Sequence, residues 1–272
     1  MEEHHIINVI GRKYFVANND PYFLKRLSGN PYQLQNLVFA RELCPNPRKV
    51  VDIGMNIGMN TIEYATFADE VYGFEPFPTS FTLAKKNISC NEIYNDKAYW
   101  FNHGEKASLA RKANIKVYDV ALGDAQKTVF INSFRDDKQN NITVNPTNLE
   151  VQQQRLDDYN FQDVDLIKID VNGYEHEVVK GAIDTISKNR PIIQVNMIEA
   201  QLLNYQTSAE SLMNWFTKKR YIALLANRRL CSPKWKFEKR FVDRFFVPIE
   251  RRELYSGNRV LKTPTELFKI KA

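Results

Sequence analysis

VVDIGMNIGMNT, residues 50–61, runs from an apolar strand through an acidic residue into a turn with two glycines that opens a helix. A strand that delivers its C-terminal end to such a turn sets backbone N–H groups and a helix N-terminus beside a ligand. A Cβ at Gly54 or Gly58 is expected to fill space that the ligand needs. On either side, short β-branched or aliphatic segments alternate with helical ones. That alternation predicts an α/β fold, a mostly parallel sheet with helices on both faces. Strands are expected at 49–53, 70–74, 115–120, 165–170, 191–197, 221–226 and 244–248, and helices at 60–67, 79–90, 174–188 and 208–220. Tyr174, Val178, Val179, Ala182, Ile183 and Ile186 trace one face of the third helix, which should lie on the sheet.

Residues 1–47 read as an N-terminal cap, a small strand or hairpin over 6–16 and a helix in PYQLQNLVFARELC stopped by Pro45. The main domain is expected over 48–250 with a basic aromatic insert at 227–243, followed by a basic tail at 251–272. Segment 124–163, rich in Asp, Asn and Gln, is expected to be a less regular loop over the active site, with a short strand at 127–132.

The 272 residues suffice for a buried core, and their mixed charge excludes a polar disordered chain. No segment approaches the roughly 20 apolar residues that span a bilayer, and MEEHHII is acidic where a secretory leader is basic. A cytoplasmic protein is expected. Cys44, Cys90 and Cys231 have no metal spacing, and His4, His5, His103 and His176 form no metal box. Residues 1–217 hold 22 basic and 27 acidic side chains, whereas 218–272 hold 16 and 5, a local net of +11. Such a surface suits an anionic partner or is simply solvated.

Glu75 ends the next strand, in VYGFEP, where a carboxylate can accept hydrogen bonds from both hydroxyls of a ribose. A dinucleotide fingerprint starting at Gly54 requires glycine at 56 and 59, where Asn56 and Met59 stand. The remaining D-x-G-x-N-x-G suits a ligand with no pyrophosphate, and S-adenosylmethionine is favoured. In DLIKIDVNGYEHEVVKGA, residues 165–182, a strand ends in Asp170 and a helix opens with Glu175. Asp170 should share the crevice with Asp52 and Glu75 and orient or deprotonate a substrate hydroxyl. Glu175 either acts there or complements the helix dipole, and His176 is either a base or structural.

VVDIGMNIGMNT, GFEP, DVALGD, RLDDY, LIKIDVNGYEHEVVKGA and RPIIQVNMIE resemble, in order and spacing, the FkbM-type methyltransferases. The resemblance covers residues 48–200. It implies a Rossmann-like class I methyltransferase sheet with a reversed last strand, S-adenosylmethionine as cofactor, and O-methylation of a hydroxyl on a sugar, glycan or small molecule. By the same resemblance Asp52, Gly54, Asn56 and Gly58 would hold the methionine part and Glu75 the ribose, with Asn60, Thr61 and Asp170 as further candidate cofactor contacts. Val120 and Ala121 would lie at the adenine, with Asp170 and Glu175 at the transfer site; His176, a candidate catalytic base, is suggested only by its place beside them. Met55 replaces the usual alanine, and Asn172 an acid, so Asn172 reads as a hydrogen-bonding contact rather than a base.

A divalent metal held by Asp170, Asn196 and Glu199 is the minority reading, and none is favoured. Two rivals remain. One is an RNA-directed methyltransferase using the basic segment and its aromatics Trp235, Phe237, Phe241, Phe245 and Phe246. Against it, Phe245 and Phe246 fall in a core strand, and the strand ending QVNM carries no lysine. The other is a catalytically silent binding module.

Overall fold

A computed structural model describes residues 4–9, 12–17, 34–91, 93–95, 111–133, 140–143, 145, 147–231 and 243–254. Seven strands pair into one sheet: β1 (Lys49–Ile53), β2 (Glu70–Phe74), β3 (Asn114–Tyr118), β4 (Val164–Ile169), β5 (Ile192–Asn196), β6 (Tyr221–Leu224) and β7 (Asp243–Pro248). Their order is β6-β7-β5-β4-β1-β2-β3. β1 to β5 are parallel where they pair, and β7 runs antiparallel to both β5 and β6. This is the Rossmann-like methyltransferase sheet with its reversed last strand, assembled from all seven expected segments.

The central strands are apolar on both faces because helices cover both. Val50, Leu166, Ile192, Phe245 and Val247 pack toward α1 (Leu34–Leu43), α2 (Met59–Tyr64) and α3 (Pro78–Cys90). Val51, Ile53, Ile167, Ile193, Val195 and Phe246 form the other layer with α4 (Glu175–Lys180), α5 (Ile183–Asn189) and α7 (Ala209–Lys218), which follows the short α6 (Glu199–Leu203). The expected N-terminal hairpin pairs His4–Val9 with Arg12–Ala17. Asn87 of α3 ties it to the glycine turn, its Oδ1 accepting from the Phe15 N–H at 2.6 Å and its Nδ2 donating to Ile57 O at 2.8 Å.

Two expectations need correction. The helix expected over 174–188 is two helices, α4 and α5. Gly181 lies so close to Gly123 that a Cβ would stand 1.8 Å from the Gly123 carbonyl oxygen. The Gly181 carbonyl accepts from the Asp157 N–H at 3.0 Å, leaving the helical ladder. The Asp157 carboxylate then accepts the Thr185 N–H at 2.8 Å and the Asp184 N–H at 3.2 Å, so the RLDDY segment caps α5 from outside. Asp157→Ala should therefore lose about 1–2 kcal/mol in urea unfolding, the size of a lost N-cap; a change within error would show that α5 needs no such cap.

Segment 124–163 is also more regular than expected. Lys127–Ser133, Asn140–Thr143 and Glu150–Gln154 join Ala121–Leu122 in a four-stranded sheet, whose Val129, Ile131 and Val151 enter the core. In EVQQQ the buried positions are Val151 and Gln153, so a glutamine occupies half of the inward face. Most of the basic insert, including Trp235, Phe237 and Phe241, lies outside the described residues, as do His103 and most of the C-terminal tail. Phe245 and Phe246 are core residues. Among the described residues no helix is long and apolar enough to cross a membrane.

Candidate active site

The hydrogen-bond ladder of the sheet continues one residue beyond the carboxyl ends of β1, β2 and β4. Gly54 N–H donates to Phe74 O at 2.9 Å, Glu75 N–H to Tyr118 O at 3.0 Å and Asp170 N–H to Ile53 O at 3.0 Å. These three residues are thereby fixed side by side along one edge. The chain then turns from β1 into α2 through left-handed backbone at Gly54 (φ 79°), Asn56 (φ 51°) and Gly58 (φ 84°).

The chain's own packing also requires these glycines. A Cβ on Gly54 would meet the Asp170 carbonyl oxygen at 2.0 Å, and one on Gly58 would meet Ala84 Cβ at 3.3 Å. Both glycines make room for the protein's own chain. Met55 is buried over Gly73, whose Cβ would lie 2.4 Å from the Met55 sulfur.

Glu75 closes over this turn. Its Oε2 accepts the Asn56 N–H and its Oε1 the Phe77 N–H, each at 2.9 Å. The residue is 8% exposed, and burial pushes its pKa up to about 7 despite those two bonds. Among the described residues it has no ion-pair partner, and each carboxylate oxygen keeps further acceptor capacity. A buried carboxylate with spare acceptors beside a tight turn fits the vicinal diol of a ribose. The residues present therefore suit the nucleoside of S-adenosylmethionine.

Asp52 differs from its expected role. It is 0% exposed and faces inward, with Oδ2 accepting from Thr61 Oγ1 at 2.7 Å. Its other oxygen lies 3.5 Å from Lys168 Nζ. Asn60 is buried in the first turn of α2. Asp52 thus offers no surface to a ligand and shapes the turn from beneath.

Lys168 was missed in the sequence. Register sets it directly between Asp52 of β1 and Gln194 of β5. It is 2% exposed, and its Nζ also lies 3.3 Å from Asp170 Oδ2. Burial works against its charge, but the carboxylates of Asp170 and Asp52 outweigh that and hold its pKa above the usual lysine value. A lysine inside the apolar run LIKI is the signal that was available, since such a charge is retained only when paired. Beyond Gln194, which accepts from Tyr64 O–H at 3.0 Å, comes buried Asp243 at the start of β7, contacted by the Asn36 side-chain amide. Burial and the Asp170 charge push Asp243 up to about 7.

The model of the Methyltransferase FkbM domain matches residues 52–223, more than half of the chain. The chain belongs to the FkbM methyltransferase family. "Methyltransferase 1" of Beauveria bassiana is 27% identical over 160 residues, covering 52% of this chain and 60% of that protein. The chain thus spans less than two thirds of that relative's length. A crystal structure of methyltransferase FkbM from Methylobacillus flagellatus is 18% identical with a TM-score of 0.46, over 74% of this chain and 43% of that one. M. jannaschii TYW2 in complex with AdoMet is 16% identical with a TM-score of 0.40, over 92% of this chain and 88% of that one.

In this FkbM-family chain the IDVNGYE segment holds itself together through Glu175. Oε1 of Glu175 accepts the Val171 and Gly173 N–H groups, each at 3.1 Å, while Oε2 is enclosed without a hydrogen-bond partner among the described residues. Burial pushes its pKa up to about 7. Beside the two readings of Glu175, the geometry gives it a third task, bracing the turn that precedes α4. Asn172 (φ 55°) and Gly173 (φ 105°) are left-handed there, a conformation that asparagine tolerates better than a longer acid does. His176 is not brought to Asp170. It lines a groove of about 460 Å³ with Ser208, Ser211, Asn214 and Trp215, and burial lowers its pKa.

Val120 and Ala121 follow β3 at the far side of Glu75, next to the Phe74–Tyr118 stack at 4.9 Å. Glu199 is engaged elsewhere, its Oε2 accepting the Ala209 N–H at 2.8 Å as it caps α7. Among the described residues no group of three or more His, Cys, Asp or Glu side chains could hold a metal ion.

Proposed function

We propose that this FkbM-family protein transfers a methyl group from S-adenosylmethionine to a hydroxyl oxygen of a sugar, glycan or other small molecule. The observation that carries the reading is the single edge on which the glycine turn, the enclosed Glu75 carboxylate and the partly exposed Asp170 carboxylate stand together. When bound, the cofactor supplies a sulfonium-activated methyl group that an acceptor oxygen can displace in line. Glu75 binds the ribose, and the turn from Gly54 to Gly58 receives the methionine end. Val120 and Ala121 flank the base. Asp170, with 19% of its side chain exposed, faces the cofactor's charged end and accepts a hydrogen bond from the acceptor hydroxyl. Asn172 and Asn196 border that space as neutral contacts. With the methyl already activated, alignment and removal of one proton are the main demands on the protein.

Calorimetry with S-adenosylmethionine, followed by a labelled-methyl screen over glycans, nucleotide sugars and RNA, tests this. Label on a sugar or small-molecule oxygen is expected. Label on RNA alone would transfer the reading to the nucleic-acid rival, and cofactor binding with no transfer to any class would favour the silent module.

A further inference from the structure

We propose that Lys168 is a positioning residue, a buried ammonium that holds the Asp170 carboxylate in place against the cofactor's charged end and links it to the glycine turn through Asp52. The inference rests on the reading of the site given above, but Lys168 belongs to no part of it. Nζ lies 3.3 Å from Asp170 Oδ2 and 3.5 Å from Asp52 Oδ1, and the side chain is almost wholly enclosed.

The two carboxylates differ in what they can reach. Asp52 has no exposed surface and is tied to Thr61, whereas Asp170 keeps 19% of its side chain exposed. An ammonium between them is fixed from below by Asp52 and fixes the group above it. Lys168 is itself held by its neighbours in register, Asp52 on one side and Gln194 on the other, with Gln194 secured by Tyr64.

Stability is a poor reason for such a group. A buried ion pair repays its desolvation only with good geometry, and apolar replacements are often as stable. Removing the ammonium alone leaves two adjacent carboxylates without their shared partner, and Asp170 is then free to turn from the crevice. The loss should fall on whatever contacts Asp170, and not on what contacts Glu75.

Two probes separate these ends of the site. S-adenosylmethionine carries the amino acid and the sulfonium charge; 5′-methylthioadenosine is a neutral nucleoside lacking both. Lys168→Met should weaken S-adenosylmethionine by about tenfold or more, the scale of a lost charge-assisted hydrogen bond. Binding of 5′-methylthioadenosine should be nearly unchanged. Asp170→Asn should give the same selective loss, and the double variant should lose no more than either single change, because Lys168 acts through Asp170. If Lys168→Met does not fold, Asp52→Asn with Lys168→Met removes the orphaned buried anion and is read in the same way.

Equal weakening of both probes would reduce Lys168 to a structural part and overturn the proposal. So would unchanged S-adenosylmethionine affinity in the lysine variant beside a loss in Asp170→Asn. Failure of the wild-type protein to bind either probe would overturn the reading of the site itself, and this inference with it.

Discussion

Glu75→Gln is expected to bind S-adenosylmethionine about a hundredfold or more weakly than the wild-type protein, and to lose the pH dependence of that binding. Two charge-assisted hydrogen bonds from a ribose, at about 1.5–3 kcal/mol each, set the magnitude. The amide also turns an N–H group toward either the Asn56 or the Phe77 N–H, both of which now donate to the carboxylate. The pH dependence has a definite sign. The Glu75 pKa is pushed up to about 7, and a ribose hydroxyl donates to the ionised form. Affinity should therefore be full at about pH 8 and fall as pH drops below 7, approaching tenfold per pH unit if only the carboxylate form binds. In the glutamine variant that slope should be absent. Calorimetry across this range reads both effects, and a glutamine variant with wild-type affinity at high pH would remove Glu75 from the nucleoside site.

The same group gives the unliganded protein a stability trend of opposite direction. Glu75, Glu175 and Asp243 are all raised to about 7, so between the ordinary carboxyl range and 7 the folded state binds more protons than the unfolded chain. Their contribution is complete below the unfolded pKa and is lost as pH rises through 7. Cofactor should recover most stability where the free protein has lost it, above pH 7. Each of the three carboxyls is enclosed at or beside the sheet's carboxyl edge, where desolvation is tolerated for the sake of a site.

The parts of the molecule legible in the sequence are those set by local pattern. The inner strands β1, β4 and β5 are short, mostly apolar runs, and a run buried on both faces is visible without knowing its neighbours. The turn at 54–58 and the acid at 75 were visible because their spacing reflects the strand–turn–helix unit itself. What was not legible depends on residues distant in the chain. The helix over 174–188 carries an unbroken apolar face, and nothing within it shows that the Gly123 backbone will press on Gly181 or that Asp157 will cap the second half. Lys168 reads as one polar residue in a strand until register sets it between Asp52 and Gln194. His176 follows Glu175 directly, yet one step along a helix is a rotation of about 100°, which carries it toward α7 instead of the crevice.

Gly54→Ala should be among the most damaging single methyl groups in the domain, costing more than about 3 kcal/mol in denaturant unfolding. Left-handed backbone alone accounts for about 1–2 kcal/mol of that. The remainder comes from the 2.0 Å approach to the Asp170 carbonyl oxygen, with Val171 Cγ1 a further 3.2 Å contact. A backbone oxygen cannot rotate away as a side chain can, so β1 and β4 must part at their carboxyl ends. The Asp170-to-Ile53 and Gly54-to-Phe74 hydrogen bonds hold those ends at present. Gly58→Ala is the internal control. It shares the positive φ, but its Cβ meets only the Ala84 methyl at 3.3 Å, in a helix that can give by a few tenths of an ångström. The two substitutions therefore share the dihedral cost and differ in the clash. Unfolding both in urea isolates the clash, and equal losses would show that the dihedral alone requires glycine at 54. Any folded Gly54→Ala protein should also bind S-adenosylmethionine poorly, since the shift that admits the methyl group moves Asp170 away from the turn.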